Sequence, residues 1–423
     1  MNFKKVVNCR VCGSHDLYKY LDLGEVPLAN GLLAAPDQPH QRYPLQVLYC
    51  VECSLSQLSI VVDPKILYTN YPYRSSTSET FKRHCYYMGK QLKNLYDGQW
   101  SVDGMLDEFQ IPQPRLIDIG ANDGCLMHQF KRHGFKAVCG FEPDPRFRSF
   151  VDSDILMFDE FFSIKSMAPI KRLAETIYLG ADFITATNVF AHVDDLVSFL
   201  QGIHEVLHPN GTFVVEVPYA YHMLMDNEFD TIYHEHLSYF LMKPLKRLFE
   251  ANGLHIFKVE EFDIHGGTIR LYASKEERGD DGSVDALLDL EKLSGVYELS
   301  TYTEFAERVL MVRDDLVMLL ERLSADGKKI VAFGASAKGS TLLNYCGIDN
   351  EYVSHIIDDT KEKQGKWMAG TNIPIEPYNW EKLQHTDYIL LLVWNFADEI
   401  MTKINAAGYK GKWIIPIPEV EVV

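Results

Sequence analysis

The chain has no apolar run long enough to cross a bilayer. Its longest, YILLLVW ending at Trp394, has seven residues, and a membrane helix needs about twenty. Positive charge is also scarce, with 41 Lys and Arg against 59 Asp and Glu for a net charge of −18. A broad nucleic-acid or anionic-membrane surface needs a positive field, so both are disfavoured as partners, although a small basic pocket for a phosphorylated metabolite is still allowed. The start, MNFKKVVNCRVCG, lacks the apolar core of a signal peptide. A soluble, cytoplasmic monomer is the expectation. No repeat of short fixed period occurs, and disorder is excluded by an ordinary 47% hydrophobic and 24% charged content. At 423 residues the chain has room for two or three domains.

The eight cysteines divide into two sets. Cys85, Cys125, Cys139 and Cys346 are scattered and read as buried thiols. Cys9, Cys12, Cys50 and Cys53 form CRVC and CVEC, two C-x-x-C pairs 37 residues apart. Four thiolates in this spacing suit tetrahedral Zn²⁺, and a closed Cys₄ shell leaves no position open for chemistry. The competing reading is a redox pair. The expected role of the zinc is to hold residues 1–70 together as a small module.

From about residue 115 strands alternate with helices: RLIDIG, CLMHQFKRHG, AVCGFEP, ADFITATNVF, VDDLVSFLQGIHEVLH, GTFVVEVP. This alternation predicts an α/β doubly wound sheet over 71–275, with IFKVEEFDIHGGTIRLYAS added late as two antiparallel strands. The stretch EERGDDGS reads as a linker, and Thr301–Glu304 as a capping box opening a long helix with Phe305, Val309, Val312, Leu316, Leu319 and Leu323 inward. KIVAFGASAKGSTLLNY begins a second, smaller α/β unit, so 276–423 is expected to hold a linker helix and a Rossmann-like domain.

The turn Asp118-Ile119-Gly120-Ala121-Asn122-Asp123-Gly124 joins a strand to a helix, and Glu142 stands twenty-two residues beyond Gly120. A carboxylate there can accept both ribose hydroxyls of a nucleoside cofactor. A dinucleotide fold wants glycine at the position of Asn122, to make room for a pyrophosphate. Polar and acidic residues instead suit a cofactor without phosphate and with a cationic amino-acid tail, namely S-adenosylmethionine. The expected contacts are Gly120, Ala121, Asn122, Asp123, Glu142, Pro143 and, at the end of ADFITATNVF, Asn188. An NAD-type oxidoreductase is the alternative.

Two histidine motifs need separate treatment. His204–His208 is a literal H-E-x-x-H, but Pro209-Asn210-Gly211 ends its helix and no third ligand follows, so it reads as a bystander. Tyr233-His234-Glu235-His236 follows GTFVVEVP at the sheet edge where open α/β folds bind ligands. A metal pair and a polar surface loop are the competing readings; a proton-transfer site is favoured, because a histidine near neutral pKa can take a proton.

These residues resemble the sugar-nucleotide C-methyltransferases along essentially the whole chain. The resemblance rests on the paired C-x-x-C module and on Y-x-Y-x-S-S-x-S (Tyr71, Tyr73, Ser75, Ser76, Ser78). It continues through D-I-G-A-N-D-G, N-V-F-A-H, Y-H-E-H-L-S-Y-F, I-H-G-G-T-I-R, G-A-S-A-K-G-S-T-L-L-N-Y and D-Y-I-L-L-L-V-W-N. Thr268 stands where the family usually has Ser. The resemblance implies S-adenosylmethionine-dependent methylation, at C3 or C5, of a nucleotide-linked 4-keto-deoxysugar, TDP-linked in the family. It implies His236 as base, with Glu235, Tyr233, His192 and Tyr73 lining the sugar site. It also implies that Lys338, or the turn around it, helps hold the ligand, with packing the competing role. A methyltransferase acting on RNA or protein is a further alternative.

Overall fold

The computed structural model describes residues 2–68, 74–101, 113–167, 180–264 and 266–423. Near the N-terminus β1 (Phe3–Lys5), β2 (Leu17–Pro27), β3 (Arg42–Cys50), β4 (Ser56–Leu58) and β5 (Ile60–Val62) form two small antiparallel sheets. Along β3, Tyr43, Leu45, Val47 and Tyr49 are buried at alternate positions, the period-two pattern of a strand with one face on a core.

The central sheet contains β6 (Arg115–Ile119), β7 (Ala137–Phe141), β8 (Leu156–Phe158), β9 (Ala181–Thr187) and β10 (Leu207–Pro218), parallel in the order β8-β7-β6-β9-β10. In β10, Phe213, Val214, Val215 and Val217 are fully buried, as expected for a strand with helices on both faces. After β11 (Ser238–Tyr239) the chain returns as β12 (His255–Phe262) and β13 (Thr268–Ser274). Strand β13 inserts antiparallel between β10 and β12. Numbering the seven strands along the chain gives the order 3-2-1-4-5-7-6, with the seventh reversed, the sheet of class I S-adenosylmethionine-dependent methyltransferases.

Strand β11 does not join that sheet. It pairs with β4, so the N-terminal sheet runs β11-β4-β3-β2 and takes its edge strand from the middle of the chain. A third sheet comprises β14 (Ile330–Phe333), β15 (Ile356–Ile357), β16 (Trp367–Met368), β17 (Ile373–Glu376), β18 (Tyr388–Leu391), β19 (Lys412–Ile415) and β20 (Glu421–Val422). Its order is β16-β17-β15-β14-β18-β19-β20, parallel from β17 to β19.

Two local expectations are corrected. EERGDDGS is irregular up to Gly282, but a helix not expected from the sequence pattern, Ser283–Leu293, follows it directly, and its buried Glu291 carboxylate accepts the hydroxyls of Tyr219 and Tyr297 and the Met242 amide. The long helix, Leu299–Ala325, begins before the supposed capping box. Thr301 Oγ1 donates to the Gly295 carbonyl instead of capping, so the preceding turn fixes the start. Its inward set includes Leu320, with Leu319 only half-buried.

Candidate functional site

The turn after β6 has left-handed backbone at Gly120 (φ 72°), Asn122 (φ 49°) and Gly124 (φ 78°). A Cβ on Gly120 would lie 2.9 Å from a Val189 methyl, so both the dihedral and the space demand glycine. Ala121 is buried, and its amide, like that of Gly120, donates to the Phe141 carbonyl. Glu142 is buried and receives the amides of Asn122 and Asp144, each at 3.0 Å, on its two oxygens; Pro143 between them is half-buried. Asn188, at φ 55°, ends β9, and its Oδ1 is buried with no partner among the described residues. The same holds for Asp123 Oδ1 and Thr187 Oγ1.

These orphaned acceptors test the cofactor. Buried oxygens without donors cost about 1–3 kcal/mol each, and an ammonium and ribose hydroxyls would satisfy them. A pyrophosphate would meet acceptors and carboxylates. The residues fit S-adenosylmethionine. From the other side, Ser75 donates its amide to Asn122 Oδ1 and Ser76 its amide and hydroxyl to Asp123 Oδ2. The serine segment therefore fastens directly onto the cofactor turn.

Burial pushes the Glu142 carboxyl up to about 7, with Asp144 and Asp159 adding repulsion and two amides opposing it. Asp118, buried in β6 and bonded by Thr185 Oγ1 at 2.7 Å, is also raised to about 7 by burial. Ribose hydroxyls donate best to an ionised carboxylate, so a cofactor held by Glu142 would release a proton on binding near or below pH 7. The expected affinity for S-adenosylmethionine is full above pH 7 and falls about tenfold per unit below it. A calorimetric titration across that range checks this, and Glu142→Gln should flatten the dependence.

A second cluster is built on the segment 229–236. It does not follow β10 directly, because the helix Ala220–Met225 intervenes, and it is a turn rather than a strand. His234 and His236 therefore share no face. His234 Nε2 donates to the Pro44 carbonyl in the N-terminal module, and burial lowers its pKa to about 4. His236 Nδ1 donates to the Thr231 carbonyl at 2.8 Å, and Tyr233 Oη lies 2.7 Å from Nε2. A carbonyl only accepts, so the proton sits on Nδ1 and the Nε2 lone pair faces the phenol.

The His192 ring centroid is 5.2 Å from that of His236, and burial lowers its pKa to about 4, so His192 is neutral at pH 7. Tyr68 lies near-parallel to His192 at 5.9 Å and edge-on to Phe161 at 5.9 Å. Burial, with the fields of Glu235 and Glu142 adding to it, raises its phenol well above the usual range. Asn30 Nδ2 donates to Glu235 Oε1 at 2.7 Å. Tyr233, Glu235, His236 and His192 are thus brought together; Tyr73 and Tyr71 lie outside the described residues. Asn30, Tyr68 and Asp118 carry no sequence signal of their own, since single residues of these types recur throughout the chain.

Cys9, Cys12, Cys50 and Cys53 place their sulfurs within 4.8 Å of one another. Sulfurs at about 2.3 Å from one tetrahedral Zn²⁺ would be spaced this way, and no other such metal-ligating group occurs among the described residues. For the H-E-x-x-H motif, the helix ends at Val206 and His208 already lies in β10, so its two histidines share no helix face.

Lys338 Nζ is 3.3 Å from Glu228 and 4.6 Å from the Trp394 ring centre. The turn's own amides are also taken, Ala335 by Asp358 and Gly339 by Ser336. This lysine therefore spends its charge within the chain. Burial raises the Glu228 carboxyl to about 7 even beside Lys338. Lys338→Met should destabilise the fold by about 3–5 kcal/mol above pH 7, where Glu228 is ionised. The loss should shrink below pH 7 as Glu228 takes up a proton, and melting curves on either side of neutrality check the sign. A cavity of about 740 Å³ adjoins this pair, lined by Arg83, His222, Phe262, Trp394 and Phe396 among others.

Residues 9–68 match the family description of a zinc binding domain, 81–259 that of a methyltransferase domain, and 263–418 that of the C-methyltransferase C-terminal domain. The chain is 33% identical to the C-methyltransferase NovU of Streptomyces niveus, over 99% of this chain and 97% of that one. Among solved structures, an S-adenosylmethionine-dependent methyltransferase from Mesorhizobium loti is similar over 40% of this chain and 94% of its own, at 16% identity and a TM-score of 0.30. The magnesium protoporphyrin IX methyltransferase of Synechocystis PCC 6803 is similar over 47% and 86%, at 10% identity and a TM-score of 0.30. No helix among the described residues is long and apolar enough to cross a membrane.

Proposed function

Because the chain belongs to the S-adenosylmethionine-dependent C-methyltransferase family, we propose that it methylates a carbon beside the ketone of a nucleotide-linked 4-keto-deoxysugar. The observation that carries this reading is the His236–Tyr233 pair, with its lone pair and phenol in register, beside His192, whose loop abuts Gly120 through Val189. A ketone acidifies the adjoining C–H, and carbon becomes nucleophilic only once that proton leaves. Catalysis therefore calls for a neutral base with somewhere to place a positive charge.

His236 Nε2 is that base, and the Tyr233 phenol relays the proton to it. The Thr231 carbonyl accepts from Nδ1 and stabilises the imidazolium that forms. Glu235, held by Asn30, receives a sugar hydroxyl. His192, neutral at pH 7, and Tyr68 bound the space beside the base and keep water out. S-adenosylmethionine, when bound, supplies an electrophilic methyl. Glu142 would hold its ribose, Asp123 and Asn188 its ammonium, and the exposed ring of Phe161 its adenine.

The test is incubation with S-adenosylmethionine and a panel of nucleotide-linked 4-ketosugars, varied in nucleotide and in the group on C3. Gain of a single methyl on one member, located on C3 or C5 by NMR, supports the reading. Transfer to RNA or protein but to no sugar sinks it. A parallel incubation in D₂O without cofactor should exchange the acidic C–H, isolating the proton-transfer half.

A further inference from the structure

We propose that Arg10, inside the first zinc knuckle, is a positioning residue that sets the register between the His236 and His192 loops, so that zinc occupancy is transmitted to the base. Arg10 lies between the ligands Cys9 and Cys12, and its side chain is only 4% exposed. Its Nη1 donates to the Leu237 carbonyl at 2.9 Å, on the residue next to His236. Its Nε stands 3.5 Å from Asp194, two residues beyond His192. One guanidinium thus reaches both loops, and the loops meet each other where the Leu237 amide donates to the Ala191 carbonyl.

The knuckle is tied to the same place a second time. The Arg10 amide donates to Gln57 Oε1, and Gln57 Nε2 donates to the Asn8 carbonyl. Gln57 lies opposite Ser238 in the β4–β11 pair, and the neighbouring Leu58 amide also donates to the Leu237 carbonyl. A guanidinium is a rigid planar fork, so its position follows the backbone that carries it. That backbone is folded by the four sulfurs, with Gly13 N bonded to Cys9 O at 2.9 Å in the tight turn that four-thiolate coordination would hold. If the knuckle opens, Arg10 and Gln57 leave together, and the 5.2 Å spacing of the two imidazoles loses its outer support. Displacement of a reacting group by about 1 Å can cost about 10²-fold in rate.

This inference rests on His236 acting as the base, but the readouts separate the two ideas. Arg10→Met and Arg10→Lys are compared with wild type for zinc content, S-adenosylmethionine affinity, kcat, and amide exchange at Leu58 and Leu237 by mass spectrometry. Arg10→Met with full zinc is expected to lose about 10²-fold in kcat at unchanged cofactor affinity, with faster exchange at both amides. Arg10→Lys, which keeps a donor and the charge beside Asp194, should recover most of both. Zinc removal from wild type should speed the same two amides.

Amide exchange needs no substrate, so it reports on the clamp even if the sugar assignment fails. Wild-type exchange and kcat in Arg10→Met overturn the proposal. So does a loss of kcat that Arg10→Lys does not relieve. Should Arg10→Met fail to fold, Asp194→Asn carries the test, with Lys4→Met, which breaks the other ion pair of Asp194, as its control. Asp194→Asn should lower kcat about tenfold, and no change there overturns the two-loop clamp.

Discussion

Replacing His236 by asparagine is expected to lower kcat by about 10²–10⁴-fold while leaving S-adenosylmethionine affinity within about twofold of wild type. Asparagine can still donate to the Thr231 carbonyl, which His236 Nδ1 does at 2.8 Å, so the turn should keep its shape. It offers no nitrogen lone pair to the Tyr233 phenol, and the proton has nowhere to go. Glu142, Asp123 and Asn188, the proposed cofactor contacts, sit on the central sheet's own turns, so binding and chemistry should come apart in this variant. Exchange of the substrate's acidic C–H in D₂O should vanish with kcat. Turnover that survives the substitution would take His236 out of the role. Tyr233→Phe should fall between the two, because it leaves Nε2 intact and removes only the relay.

Removing zinc should do damage at least as large. Four thiolates around one Zn²⁺ supply about 10–16 kcal/mol in isolated zinc-finger peptides near pH 7, more than a module of this size gains from its own core. Chelation, or Cys50→Ser, is therefore expected to unfold residues up to about Val62 selectively and to abolish methyl transfer. The reason lies in what this module contributes: Asn30 to Glu235, the Pro44 carbonyl to His234, and β4 to β11. Protease nicking confined to this region, with the central sheet intact, would be the signature. A metal-free protein that still turns over would reduce the zinc to an incidental passenger.

Much of this molecule was legible from residue order. Alternation and length gave six of the seven strands of the central sheet, because a buried strand must be a short apolar run between turns; the three-residue β8, Leu156–Phe158, is too short to show that pattern. The paired C-x-x-C spacing gave the sulfur cluster, since two knuckles need little more than their own turns. Gly120 with Glu142 gave a glycine turn with an acid against it, because chain geometry puts that acid at the end of the next strand, where it receives the Asn122 amide. The resemblance to known C-methyltransferases named the cluster around His236.

Other features depend on contacts between distant parts of the chain, and no local pattern announces them. The helix at Ser283–Leu293 was hidden by its charged flank and is held through Glu291 by tyrosines 72 and 6 residues away. Sequence spacing alone does not separate His234 from His236, and the turn sends them to different partners. Lys338 looked available to a ligand until Glu228, 110 residues earlier, was seen to hold it.

What the sequence determined by itself is the set of parts: a Cys₄ knuckle pair, a class I sheet with a cofactor turn, and a second α/β unit. What only the tertiary structure decided is which parts share a site. Strand β11 crosses from the central region to the N-terminal sheet, bringing Asn30 and Arg10 to the loop that carries His236. Backbone periodicity is a local property, but a hydrogen bond between residues 227 positions apart is settled only once the whole chain has packed.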